Sequence, residues 1–144
     1  MKQFALAGLR VATALLLVVW GLIRVSAPEK GAGVSAKYYS GLGSAEVIQV
    51  VWGAVLLIIG MLVIIGLFRR FALVAQAVVL VFGALTIWKY LLDPLGLYLL
   101  TPETSNVLFF PSLALAFASL LLVAMRAEDR WSLDSLLEAR RAGK

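Results

Sequence analysis

The residues of this chain that could do chemistry gather at the edges of apolar runs rather than inside them. Arg24 closes the first run, Glu46 and Gln49 open the second, Lys89 and Asp93 close the third, and Glu103 and Asn106 open the fourth. Helical spacing groups them further: Trp20 lies one turn from Arg24, Glu46, Gln49 and Gly53 share a face, and Thr86, Lys89 and Asp93 share another. Converging charges of this kind can hold a polar headgroup, and tryptophans can stack on a ring. The candidate pocket is therefore Trp20, Arg24, Glu46, Gln49, Trp52, Trp88, Lys89, Asp93 and Asn106. The competing reading is that Arg24 and Lys89 only anchor helix ends and that Trp88 and Tyr90 belong to an interfacial belt, because a charge near the interface costs little once its side chain snorkels.

The chain has no cysteine and no histidine. A disulfide relay is excluded, and so are imidazole ligation of haem and a Cys/His site for zinc or an iron–sulfur cluster. No catalytic residue, metal-ligand set or intrinsic cofactor stands out. A redox role would have to borrow its electrons from a bound quinone or from a partner protein. No acid sits in the middle of a run, which argues against a small proton-coupled exporter, and the almost unbroken apolar centres of the second and fourth runs argue against a solute permease.

The elements that must position these residues are plain. The chain is 62% hydrophobic, against roughly half for a soluble domain, and the excess lies in four runs of near-spanning length, about 20 residues each. The expected fold is all-α: a four-transmembrane-helix antiparallel bundle with a cytoplasmic amphipathic C-terminal helix. One domain covers 1–126, with helices over about 6–24, 46–68, 71–92 and 103–125, and a tail covers 127–144. The net charge of +5 does not imply nucleic acid, since the basic residues cap helix ends instead of forming one soluble face.

Lys2, Arg10, Arg69, Arg70, Arg126, Arg130, Arg140, Arg141 and Lys144 fall on one side, and Arg24, Lys30, Lys37 and Lys89 on the other. The positive-inside rule then puts both termini in the cytoplasm and the candidate pocket at the outer end. Arg69–Arg70 reads as the whole turn between the second and third helices. Val25-Ser26-Ala27 resembles a signal-peptide cleavage site, but the long apolar run and the adjacent Pro28 favour an uncleaved first helix.

Finer expectations follow. A short interfacial helix is predicted around 34–41. Thr101-Pro102-Glu103 reads as the start of the fourth helix, with Pro111 kinking it and freeing the Val107 carbonyl. Gly53, Gly60 and Gly66 allow close helix approach. Gln76 is expected to hydrogen-bond to a neighbouring helix and Arg10 to snorkel. In the tail, Trp131, Leu133, Leu136 and Leu137 recur at helical spacing before Arg140 and Arg141, which suits a helix on the membrane surface.

The segments LRVATALLLVVWGLIRVSAPE, YYSGLG and GAVLLIIGMLVIIGLFRRFALVAQAVVL, with WKYLLDPLGLYL and NVLFFPS further on, resemble the DoxX-like family of small four-helix bacterial inner-membrane proteins. Trp20, Gly21 and Arg24 match the end of the family's first-helix motif. The resemblance implies an acid near the position of Gln49, where this chain has a neutral amide, and that departure weighs against acid–base chemistry there. With the missing redox side chains, the small-residue helix faces and the amphipathic tail, the resemblance points to a non-catalytic or accessory subunit supporting a membrane redox or envelope complex. The expected partners are the lipid bilayer and either such a membrane protein complex or further copies of the chain as a homo-oligomer. Binding of a quinone or another small amphiphile in the outer pocket, as part of a quinone-linked oxidoreductase, is the alternative.

Overall fold

The computed structural model describes residues 1–142; Gly143 and Lys144, the end of the expected tail, lie outside them. In chain order the helices are α1 (Lys2–Ser26), α2 (Pro28–Tyr38), α3 (Glu46–Ile65), α4 (Arg69–Thr86), α5 (Trp88–Leu92), a 3₁₀ turn (Val107–Phe109), α6 (Pro111–Ala124) and α7 (Leu133–Ala142). Four segments are long and apolar enough to cross a bilayer: α1, α3, α4 and Val107–Ala124. Even the shortest reaches about 27 Å at the helical rise.

The distribution of side chains says what solvent surrounds them. Ile58, Val78, Phe82, Phe117 and Leu120 are exposed, while Thr13, Gln49, Gln76 and Ser119 are almost wholly buried. A soluble domain hides its large apolar groups and wets its amides. Here the order is reversed, which is stable only if the outside is hydrocarbon. The chain is a multi-pass membrane protein.

The closest packing is between α1 and α3, where glycines let backbones touch. A Cβ on Gly21 would lie 2.8 Å from the Gly53 carbonyl, and one on Gly60 would lie 3.1 Å from the Ala14 carbonyl. Ala14, Val63, Ala72, Leu73 and Leu122 form the core beside this seam. Gln76 Nε2 donates to Thr13 Oγ1 at 2.8 Å across the same layer, so the expected interhelical bond is present.

Several boundaries differ from expectation, each for a local reason. The third helix stops at Thr86, whose hydroxyl turns back to the Phe82 carbonyl at 2.8 Å, and restarts as α5 after Ile87. Such back-bonding bends helices. Thr101–Thr104 closes a turn on itself instead of starting a helix. The spanning segment starts at Asn106, whose side chain caps Leu108 N at 3.1 Å. Pro111 then opens α6 in its first turn, where a missing N–H costs nothing, so there is no kink within a helix. The predicted 34–41 helix is instead α2, opened by Pro28.

At the end carrying the termini, two expectations are corrected. Arg10 does not snorkel: it is 3% exposed. Its Nη1 donates to the Val63 and Ile64 carbonyls, both at 2.6 Å, its Nη2 donates to the Trp131 carbonyl at 2.7 Å, and its Nε makes ionic contact with Asp129 Oδ2 at 2.8 Å. The turn between α3 and α4 is Gly66-Leu67-Phe68, not Arg69–Arg70, which open α4. Arg69 is buried and donates to the Arg126 and Asp129 carbonyls at 2.8 and 2.5 Å.

The segment after α6 is thus knitted into the bundle. Asp134 accepts from Phe68 N and Arg69 N at 3.1 and 2.8 Å, capping α4 from outside its own sequence. Gln3 accepts from Arg130 N and donates to the Glu128 carbonyl, which holds the start of α1 against the segment after α6. Leu136 and Leu137 on α7 stay exposed.

Candidate functional site

The half of the bundle away from the termini is not filled. A cavity of about 350 Å³ opens there, walled by Leu17 and Trp20 of α1, Leu56 of α3, Leu80 and Ala84 of α4, and Leu115 of α6. That volume sits at the low end of small-molecule sites, about 300–1,000 Å³. Its exposed lining residues are Leu42, Ile48, Trp52 and Phe82, so its mouth is rimmed mainly by α3 and α4 and faces the hydrocarbon side.

The polar end of the cavity is built by α1, α2 and α3 together. Arg24 Nη1 donates to Gln49 Oε1, and Gln49 Nε2 donates to Ser35 Oγ at 2.9 Å and to the Gly43 carbonyl. α2 passes directly over this pair: a Cβ on Gly31 would lie 2.6 Å from Gln49 Oε1 and 3.2 Å from Arg24 Cγ. Arg24 is 8% exposed, its Nε has no hydrogen-bond partner, and no carboxylate among the described residues forms an ion pair with it. Tyr39 lines the same cavity. Burial pushes its hydroxyl above the usual phenol range, a rise only partly offset by the Arg24 charge, so it remains a protonated donor. An edge-to-face cluster of Tyr38, Tyr90 and Phe109, with centroids 4.8 to 5.5 Å apart, ties α2, α5 and the 3₁₀ turn together at this end.

Of the nine sequence-predicted residues, Trp20, Arg24, Gln49 and Trp52 line the cavity. Glu46 is exposed in the first turn of α3, where it meets the positive end of the helix dipole. Trp88 lies instead in a wholly apolar groove on the outside of α4 and α6, and exposed Lys89 sits 5.8 Å above its ring. Asn106 spends its carbonyl on the Leu108 cap. Ser35, Tyr39 and Gly43 were not among the expected site residues; the expected interfacial helix around 34–41 covers Ser35 and Tyr39 but gave no sign that they turn back onto Gln49 and Arg24.

Asp93 is buried but serves its own loop. Its carboxylate accepts from the backbone N–H of Leu97, Tyr98, Leu99 and Leu100 at 2.7 to 3.0 Å. Burial alone would raise this carboxyl; the Leu97, Tyr98, Leu100 and Leu99 donors outweigh it and hold it well below the usual range. A folded value below the unfolded one stabilises the loop above the unfolded pKa, about 3.9, and the benefit fades as pH falls through the folded value. Asp93→Ala should leave those four N–H groups without their acceptor and speed hydrogen exchange at 97–100 selectively; exchange there at the wild-type rate would contradict this role.

Fold and site together define a four-span helical membrane protein whose lipid-facing cavity ends on a buried, unpaired cation. Comparison with family models, curated proteins and solved structures gives no match to this chain. Among the described residues, no group of three or more His, Cys, Asp or Glu is placed to hold a metal ion.

Proposed function

We propose that this protein is a DoxX-like inner-membrane protein that binds a small amphiphile with an oxygen-bearing headgroup, of which a quinone is one case. The observation that carries the reading is Arg24, buried without an acid at the end of an apolar cavity that opens toward lipid. A buried charge is costly unless paired and hydrogen-bonded, and protein groups supply only part of what this one needs. A headgroup acceptor beside Arg24 and Tyr39 would supply the rest, while the apolar body lies between Trp20, Leu56 and Leu80. An accessory place in a redox or envelope complex rests on the family resemblance; the cavity favours the ligand-binding reading and is compatible with both.

The orientation belongs to the same proposal. The excess of Lys and Arg at the end carrying the termini supports a cytoplasmic location for it. The exposed apolar face of α7, with Trp131 nearby, suits the headgroup layer on that side.

Gly83 offers a direct test. It lines the cavity, and a Cβ added there meets nothing within 4 Å, so a larger side chain can fill the space without clashing at its first atom. Native mass spectrometry of wild-type protein in mild detergent should show a bound amphiphile. Gly83→Phe should lose it while keeping the same thermal unfolding profile after delipidation. Identical adducts in the two proteins would remove the cavity as the binding site.

A further inference from the structure

We infer that the headgroup held in this cavity is an anion, a carboxylate or phosphate on a single-chain membrane amphiphile, with the Arg24 guanidinium as its main contact. This rests on the ligand-binding reading above and narrows it. The polar end of the cavity is rich in donors and poor in free acceptors. Gln49 Oε1 is taken by Arg24, Ser35 Oγ and the Gly43 carbonyl are taken by Gln49 Nε2, and Arg24 Nε and the Tyr39 hydroxyl remain to be used.

A ligand that fits such a set accepts hydrogen bonds and donates none, which describes a carboxylate, a phosphate or a quinone carbonyl. Charge separates them. The carbonyl is neutral and leaves the guanidinium uncompensated in a site walled by Leu17, Trp20 and Leu56, whereas an anion offsets it and takes its hydrogen bonds in charge-assisted form. Arg24 lines the cavity with its Nε unpartnered, and a guanidinium can bind two oxygens of one planar or tetrahedral group, which lysine does not offer. The mouth adds the source: Ile48, Trp52 and Phe82 at the rim favour an anion carried on an alkyl chain over one arriving from water. The size of the cavity leaves room for one chain.

The test uses full-length protein in phosphatidylcholine nanodiscs, with Trp88→Phe and Trp131→Phe so that only the cavity tryptophans report. An ω-brominated dodecanoate, kept ionised, and the matching amide are titrated, and quenching of Trp20 and Trp52 is read. Half-quenching should need about tenfold less carboxylate than amide, the scale of one charge-assisted hydrogen bond. Arg24→Gln should erase that preference; because the wild-type comparison alone carries the test, a poorly folding variant does not blunt it. Equal quenching by both probes overturns the anion and leaves the cavity reading intact. No quenching by either overturns both. Displacement of the brominated carboxylate by millimolar acetate or inorganic phosphate would overturn the membrane source in favour of a free anion.

Discussion

Arg10→Ala should destabilise the bundle by about 3–5 kcal/mol, the scale of breaking a buried ion pair from one side. Arg10 and Asp129 are each 3% exposed, and the remaining carboxylate would be left buried without its cation. The guanidinium also satisfies three carbonyls: those of Val63 and Ile64 at the C-terminal end of α3, where the helix dipole is negative, and that of Trp131 in the tail. The loss should therefore propagate to the tail, freeing Trp131 and Ser132 and removing the Asp134 cap from α4. Equilibrium unfolding in mixed micelles measures the stability, and limited proteolysis between Arg126 and Asp134 reports the detachment. The double variant Arg10→Leu/Asp129→Leu should be less destabilised than either single charge deletion, since it leaves no buried charge without its partner. A single variant within about 0.5 kcal/mol of wild type, the usual range for surface sites, would mean that the side chain reaches out to the interface.

That prediction also shows where the sequence was silent. Four spans, the bundle and its two polar ends were legible because hydrocarbon thickness dictates run length and because backbone groups in lipid must pair within a helix. The Arg10 site was not, because its partner, Asp129, lies beyond three intervening spans and carries no local signal. The Thr86–Lys89–Asp93 face failed for another reason: the break at Ile87 resets the helical phase, so Trp88 and Lys89 turn outward. Asp93 looked like a pocket acid, yet its partners are backbone N–H groups supplied by the turn at Gly96, whose φ of +71° suits glycine. Arg24 and Gln49 were readable because both lie on regular helices near ends known to coincide. Ser35 and Gly43 reach them only because α2 and its loop fold back, with Gly31 permitting the approach.

Gly53→Val should separate α1 from α3 and cost about 1–3 kcal/mol as overpacking. The spacing explains why no rotamer change can relieve it. A Cβ at position 53 would meet the Gly21 carbonyl at 2.9 Å and Arg24 Cβ at 2.8 Å, both parts of α1 that move only if the helix moves. Ala14 and Gly21 on α1, like Gly53 and Gly60 on α3, recur two turns apart, so an added methyl wedges a seam that lipid offers no hydrophobic force to hold shut. Alanine at position 53 should be milder, because the gain of about 0.5–1 kcal/mol for replacing a helical glycine offsets part of the strain. Gly8→Ala is the control: a Cβ there meets nothing within 4 Å, so only the helical gain remains and stability should hold or rise. Gly53 also lies one turn from Gln49 and against the stem of Arg24, so the wedge should pull the donor pair apart and weaken ligand retention together with stability. Unfolding measurements on Gly8→Ala, Gly53→Ala and Gly53→Val should fall in that order of decreasing stability. If valine at 53 proves as stable as alanine at 8, α1 and α3 do not touch through their backbones, and the cavity they wall must have another shape.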